Sequence, residues 1–214
     1  MEAIIKTIFM LFQITMVVLA ITIHEFSHAM AAYKLGDDTA KRAGRLSLNP
    51  IKHLDILGAI MLLIVKIGWA KPVPINPYNF DNMKIGTALT AAAGPLSNFI
   101  VAILAAVLYN LTVNNISNLY TNILGIVLVF TLRFAVMINI ALGLFNLLPI
   151  PPLDGSKILG GFMTDDMFFK WSSFERKGAL FLMLLFAANY IFKLGLFEKL
   201  IYTPLDFFTK LLIG

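Results

Sequence analysis

Residues 6–35 read KTIFMLFQITMVVLAITIHEFSHAMAAYKL, an apolar run that carries His24, Glu25 and His28 in its second half. A helix that crosses a bilayer needs roughly 20 mainly apolar residues, and this run exceeds that. Ionisable side chains inside such a run are costly in lipid and need partners. The stretch therefore announces a membrane protein with something polar built into it. Because Glu2 lies near its start and the run flows directly into HEFSH, it is expected to be kept as a helix rather than removed as a signal sequence.

The rest of the chain agrees. Of 214 residues, 59% are hydrophobic and 14% charged, whereas a soluble domain has about 45–50% apolar and about 25% charged residues. So few charges could not cover a surface in water. The balance of 17 Lys+Arg against 12 Asp+Glu is basic, but the basic residues sit between apolar runs with few aromatics among them. They read as topology charges, and no nucleic-acid partner is expected. With no cysteine and only three histidines, any metal must be held by His, Asp or Glu.

Apolar windows at Lys6–Leu35, Gly86–Tyr109, Asn122–Leu148 and Lys177–Leu196 are candidate spans. Ile56–Ile67 is too short to cross comfortably, and the tail Phe197–Gly214 carries Glu198, Lys199, Pro204, Asp206 and Lys210, which suits an interfacial helix or a short last span. The expected architecture is an all-α polytopic membrane protein of four to six transmembrane helices. It would form one integral-membrane domain over 1–214, with its core at about 6–160 and C-terminal helices at 177–214. Loop charges decide how Ile56–Ile67 runs. Lys41, Arg42, Arg45, Lys52, Lys66 and Lys71 lie on one side of Gly86–Tyr109, and the loop Asn110–Thr121 has no basic residue. If Ile56–Ile67 dips in and returns, every basic loop faces the cytoplasm, as the positive-inside rule prefers. A re-entrant or β-hairpin insertion after the first helix is thus expected. Such backbone is tolerated at membrane depth only beside protein or water, so a hydrated site near the cytoplasmic side follows. The loop Trp69–Asn82, with prolines at 72, 74 and 77, reads as irregular.

In H-E-F-S-H the two histidines are four residues apart, so they lie on one helical face and can reach one ion with Glu25 beside them. This suits a zinc hydrolase, which needs a third protein ligand, an open position for water, and a base to take the proton as water attacks a carbonyl. Later, F-N-L-L-P-I-P-P-L-D-G-S (145–156) ends a span with Pro149, Pro151 and Pro152. Asp154 is then presented from broken backbone at the membrane edge, as a ligand or as the N-cap of the next helix. Gly155 permits a tight turn, and Asn146 places an amide at the last turn of the span.

Together, HEFSH and N-L-L-P-I-P-P-L-D-G resemble the site-2 protease family of intramembrane zinc metalloproteases, over roughly Ile21–Leu159. A-A-A-G-P-L-S-N-F (91–99) is similar to that family's Gly-bearing central span, and Gly68–Phe80 is similar to its compact bacterial branch, which lacks PDZ or CBS domains. The resemblance implies that His24, His28 and Asp154 bind one Zn2+, that Glu25 activates the water as general base, and that Asn146 steadies the substrate backbone or the oxyanion. It implies a zinc-dependent endopeptidase acting on transmembrane protein or peptide substrates. The enzyme would be a multi-pass protein of a bacterial or archaeal plasma membrane, its active site nearer the cytoplasmic side. Unwound substrate would be captured by an exposed strand edge, for which Ile51–Ile67 and Trp69–Phe80 are the candidates. The alternative is a metal-binding transporter or channel using the same His, Glu and Asp residues as an ion path.

Weaker signals remain. His53 and Asp55 suit a loop held by its own hydrogen bonds better than an accessory metal site. Arg133, deep in Asn122–Leu148, either snorkels or faces a polar cavity. Ser97, Asn98 and Asn139 are expected to bond between helices. Asp165 and Asp166 are expected to be solvated.

Overall fold

The computed structural model describes residues 2–58, 60, 70–115 and 119–214. Helices dominate, and the only β feature among the described residues is an isolated antiparallel bridge between Leu54 and Ala70. The order is α1 (Glu2–Lys34), α2 (Thr39–Arg42), α3 (Met83–Asn115), α4 (Ile123–Asn146), α5 (Asp154–Gly160), α6 (Asp165–Ile191) and α7 (Thr203–Ile213), with short 3-10 turns between. Three helices, α1, α3 and α4, are long and apolar enough to cross a membrane. Large side chains such as Leu11, Leu104, Leu124 and Met183 are exposed, more than a water-facing surface tolerates. This is a multi-pass membrane protein.

The expected fourth span, Lys177–Leu196, falls mostly in α6, where the apolar helical stretch found among the described residues is Leu180–Ile191. In the tail, a π turn at Glu198–Tyr202 leads into the 11-residue α7. At 1.5 Å per residue α7 is about half the thickness of a bilayer core. Most of Ile56–Ile67, the expected re-entrant insertion, lies outside the described residues.

The chain divides into two units. One comprises Met1–Ala20, Asn98–Leu144 and Gly195–Gly214; the other comprises Ile21–Ser97 and Phe145–Leu194. In the first, Ala102, Ala105 and Ala106 of α3 meet Ala135, Val136 and Ile140 of α4, and Ile213 of α7 joins them. Lipid gives helices no hydrophobic drive to associate, so small residues that let backbones approach are how such helices pack. Asn98 Nδ2 donates to Asn139 Oδ1 at 2.9 Å and to the Ala20 carbonyl at 3.3 Å, the interhelical bonding expected of both asparagines. Ser97 departs from that expectation: its hydroxyl donates to the Gly94 carbonyl in its own helix.

The second unit holds the irregular segments, and buried polar side chains fasten them. Asp37 is fully buried and accepts from the Asn76 amide and from Asn79 Nδ2, both at 2.7 Å, and from the amide and hydroxyl of Thr39. Burial pushes its carboxyl up, but these donors outweigh that and hold it below the usual carboxylate range. Arg45 donates to the carbonyls of Lys71 and Pro72. His53 is buried against the Ser47 carbonyl at 2.6 Å, and Asp55 accepts from the Gly58 amide. The pair therefore serves its own loop. Ala29, Ala40 and Val73 form the small core beneath.

Candidate metal centre

α1 carries His24 and His28 one turn apart, and both are buried. Their rings stand nearly perpendicular, at 87°, and their Nε2 atoms are 3.0 Å apart. His28 Nδ1 lies 2.7 Å from the Thr90 carbonyl oxygen of α3. A carbonyl can only accept, so Nδ1 carries the proton and Nε2 keeps its lone pair. An outer bond of this kind would orient the ring if His28 held a metal. Pro95, fully buried inside α3, offers no amide to the Ala91 carbonyl, so the helix ladder is interrupted just beyond the turn that meets His28.

Asp154 arrives from the other side of the sequence. α4 stops at Asn146, and tight turns carry the chain through Pro149, Pro151 and Pro152, with a cis bond between the last two. Asp154 is neither on extended backbone nor an N-cap. Leu153 is the N-cap, and Asp154 is the first residue of α5. Gly155 makes this turn possible, because a Cβ there would stand 2.2 Å from the Leu147 carbonyl oxygen. Asp154 Oδ2 lies 3.1 Å from His24 Nε2 and 3.3 Å from His28 Nε2.

The three donor atoms thus form a buried triangle with edges of 3.0, 3.1 and 3.3 Å. Around a tetrahedral ion with bonds of about 2.0–2.2 Å, donors lie roughly 3.3–3.6 Å apart, so the set accepts zinc with an outward shift of a few tenths of an ångström. Among the described residues no other His, Asp and Glu group is arranged to hold a metal. Gly94 faces this triangle: a Cβ there would stand 2.4 Å from His28 Nε2 and 2.6 Å from His24 Cε1. Only glycine leaves the imidazoles their room. The sequence marked Gly94 as a point of close helix approach, but not what it approaches.

Glu25 is half-buried beside the pair, and its Oε2 accepts from the Val73 amide at 3.1 Å. Sequence reasoning had no means of finding this partner, 48 residues away. Asn146 closes α4 and is half-buried. Residues of α3, α5 and α6 wall a cavity of about 180 Å³ that Thr87, Lys157, Trp171 and Glu175 help to line. Trp171 Nε1 fastens α6 to the Ser156 carbonyl at 2.9 Å. Asp165, expected to be solvated, is exposed but pairs with Lys84 at 2.6 Å.

Two histidines and an aspartate close to tetrahedral spacing, with a glutamate next to the first histidine, make a candidate for a hydrolytic type of metal centre in a multi-pass membrane protein. The chain belongs to Peptidase family M50, which it matches over residues 12–187. It is similar to YwhC of Bacillus subtilis (strain 168), a protein named as a zinc metalloprotease, at 40% identity over 174 residues, 81% of this chain and 78% of that one. Two proteins named as zinc metalloprotease Rip2 are each 27% identical. The one from Mycolicibacterium smegmatis aligns over 64% of this chain and 51% of its own length, and the one from Mycobacterium tuberculosis (H37Rv) over 79% and 64%. The chain thus spans about half to two thirds of the Rip2 proteins. No solved structure was found to match it. Family membership makes the chain a metalloprotease and sets aside the ion-path alternative.

Proposed function

We propose that this chain is a zinc-dependent endopeptidase that cleaves transmembrane segments of membrane proteins, with its active site nearer the cytoplasmic side and 1–214 acting as one catalytic domain. The buried donor triangle of His24, His28 and Asp154 carries the reading, because a three-ligand set leaves a fourth position open for chemistry. A zinc ion held there would act as a Lewis acid and lower the pKa of water toward neutrality.

The chain's own residues supply the rest. Glu25 takes a proton from the attacking water and returns it to the departing amine, a role that needs a carboxylate beside the ligands rather than among them. The Val73 amide holds that carboxylate in one orientation. Thr90 fixes the tautomer of His28, and Asn146 is assigned to the substrate backbone or the oxyanion. A transmembrane helix hides its carbonyls in internal hydrogen bonds, so it must be unwound before water can attack. The non-helical segment from Ala70, fixed by the Leu54 bridge, Arg45 and Asp37, is a candidate edge for an unwound peptide. The uncharged Asn110–Thr121 loop, against basic loops elsewhere, supports the cytoplasmic placement.

The test is to purify the protein and its Glu25→Gln variant in detergent, measure bound zinc, and incubate both with transmembrane peptides. About one zinc is expected in each, with cleavage falling by a factor of about 10²–10⁴ in the variant. Equal cleavage by the two, or an unaltered protein without zinc under metal-replete conditions, would overturn the proposal.

A further inference from the structure

Within the first unit, α1 and α4 flank a cleft of about 550 Å³ that neither the donor triangle nor Glu25 touches. Its walls are aromatic and apolar: Phe9 and Phe12 from α1, Phe130 and Phe134 from α4, with Phe9 and Phe130 in edge contact at 5.4 Å. Three polar groups interrupt them. Arg133 is exposed and Gln13 lies opposite; neither has a hydrogen-bond or ion-pair partner among the described residues. Thr131 Oγ1 is buried without one.

Depth decides what can satisfy Arg133. It stands ten residues after the start of α4 at Ile123, about 15 Å along the axis, close to the middle of a hydrocarbon core about 30 Å thick. An arginine arm extends roughly half that distance by its bond lengths, so it does not reach a headgroup plane directly. A guanidinium at this depth normally faces a polar interior and pairs with an anion. The cleft offers it no carboxylate, yet has room, apolar walls and two further hydrogen-bonding side chains. The matching occupant is apolar along its length, carries one carboxylate near mid-membrane, and is slender enough to lie between two helices.

We infer that the α1–α4 cleft docks a transmembrane helix of another membrane protein through an acidic side chain that pairs with Arg133 at mid-membrane depth. Arg133 presents the planar fork that suits a carboxylate, Gln13 completes the polar contact, and the four phenylalanines cover the helix on either side. The inference goes beyond the peptidase reading and does not depend on zinc.

The test uses the full chain reconstituted in phosphatidylcholine nanodiscs with single-span poly-Leu/Ala peptides bearing Asp, Leu or Lys at the central position. Binding is read by energy transfer between labelled peptide and protein. The Asp probe is expected to bind at least tenfold more tightly than the Leu probe. That preference should vanish in Arg133→Leu and persist in Arg133→Lys, while Arg133→Asp should prefer the Lys probe. The exchanged preference shows that the cleft survives substitution. Equal binding of Asp and Leu probes, or a preference that survives Arg133→Leu, would overturn the inference. So would loss of the preference when phosphatidylglycerol is added, because the site would then be a lipid phosphate site.

Discussion

The two halves of α1 are built from similar material and live in different surroundings. Before Ala20 the helix exposes Met10, Leu11, Phe12 and Leu19, whereas His24, His28, Ala29 and Ala32 after it are all buried. The first half is apolar nearly all round, so lipid can be its solvent. The second half spends its small residues on close packing and its polar residues on one cluster walled by α3 and α5. Polar chemistry is tolerated within one helix only where protein replaces lipid.

The largest break in that comparison should come at Gly94. A Gly94→Ala change places a Cβ 2.4 Å from His28 Nε2, and zinc affinity, read by competition with a chromogenic chelator, is expected to fall by about 100-fold or more. Leu11→Ala on the exposed half should change neither zinc binding nor stability beyond about 0.5 kcal/mol. A smaller effect is expected at Asp37, which fastens the loop that reaches Glu25. Asp37→Ala leaves buried donors unpaired and should cost about 2–4 kcal/mol in denaturant unfolding in detergent. The Asp37 carboxyl is lowered on folding, so its contribution is present above the unfolded value of about 3.9 and is lost as pH falls through the folded value. The difference between variant and parent should therefore shrink below about pH 4. A smaller loss than at Asp37 is expected in the first unit. Asn139→Leu removes the 2.9 Å bond to Asn98 and should cost about 1–2 kcal/mol by the same measurement.

Much of this was legible in the sequence because it is local. The period of the helix puts His24 and His28 on one face, hydropathy finds α1, α3 and α4, and three prolines end α4 where the structure ends it. Asp154 was legible as a ligand candidate through its motif, though its place at the start of α5 was not. What the sequence hid is long-range. Thr90 lies 62 residues from His28, Val73 lies 48 from Glu25, and Asp37 lies 39 from Asn76. All three contacts use a backbone group on one side, which leaves no mark in residue type. Asp37 sits in an unremarkable polar loop, and its role comes only from what folds onto it. The tail was hidden for another reason: α7 is short and amphipathic, and only its packing with Asn110 and the Ala102 cluster shows where it belongs.

The central claim is that the buried half of α1 and the start of α5 together make one zinc site. Zinc-edge X-ray absorption on the purified protein tests it most directly. The expected spectrum has two imidazole nitrogens and oxygen ligands at about 2.0–2.2 Å in four-coordinate zinc, with one imidazole lost in His28→Ala and one oxygen lost in Asp154→Ala. A spectrum without imidazole scattering, or one that either substitution leaves unchanged, would contradict it.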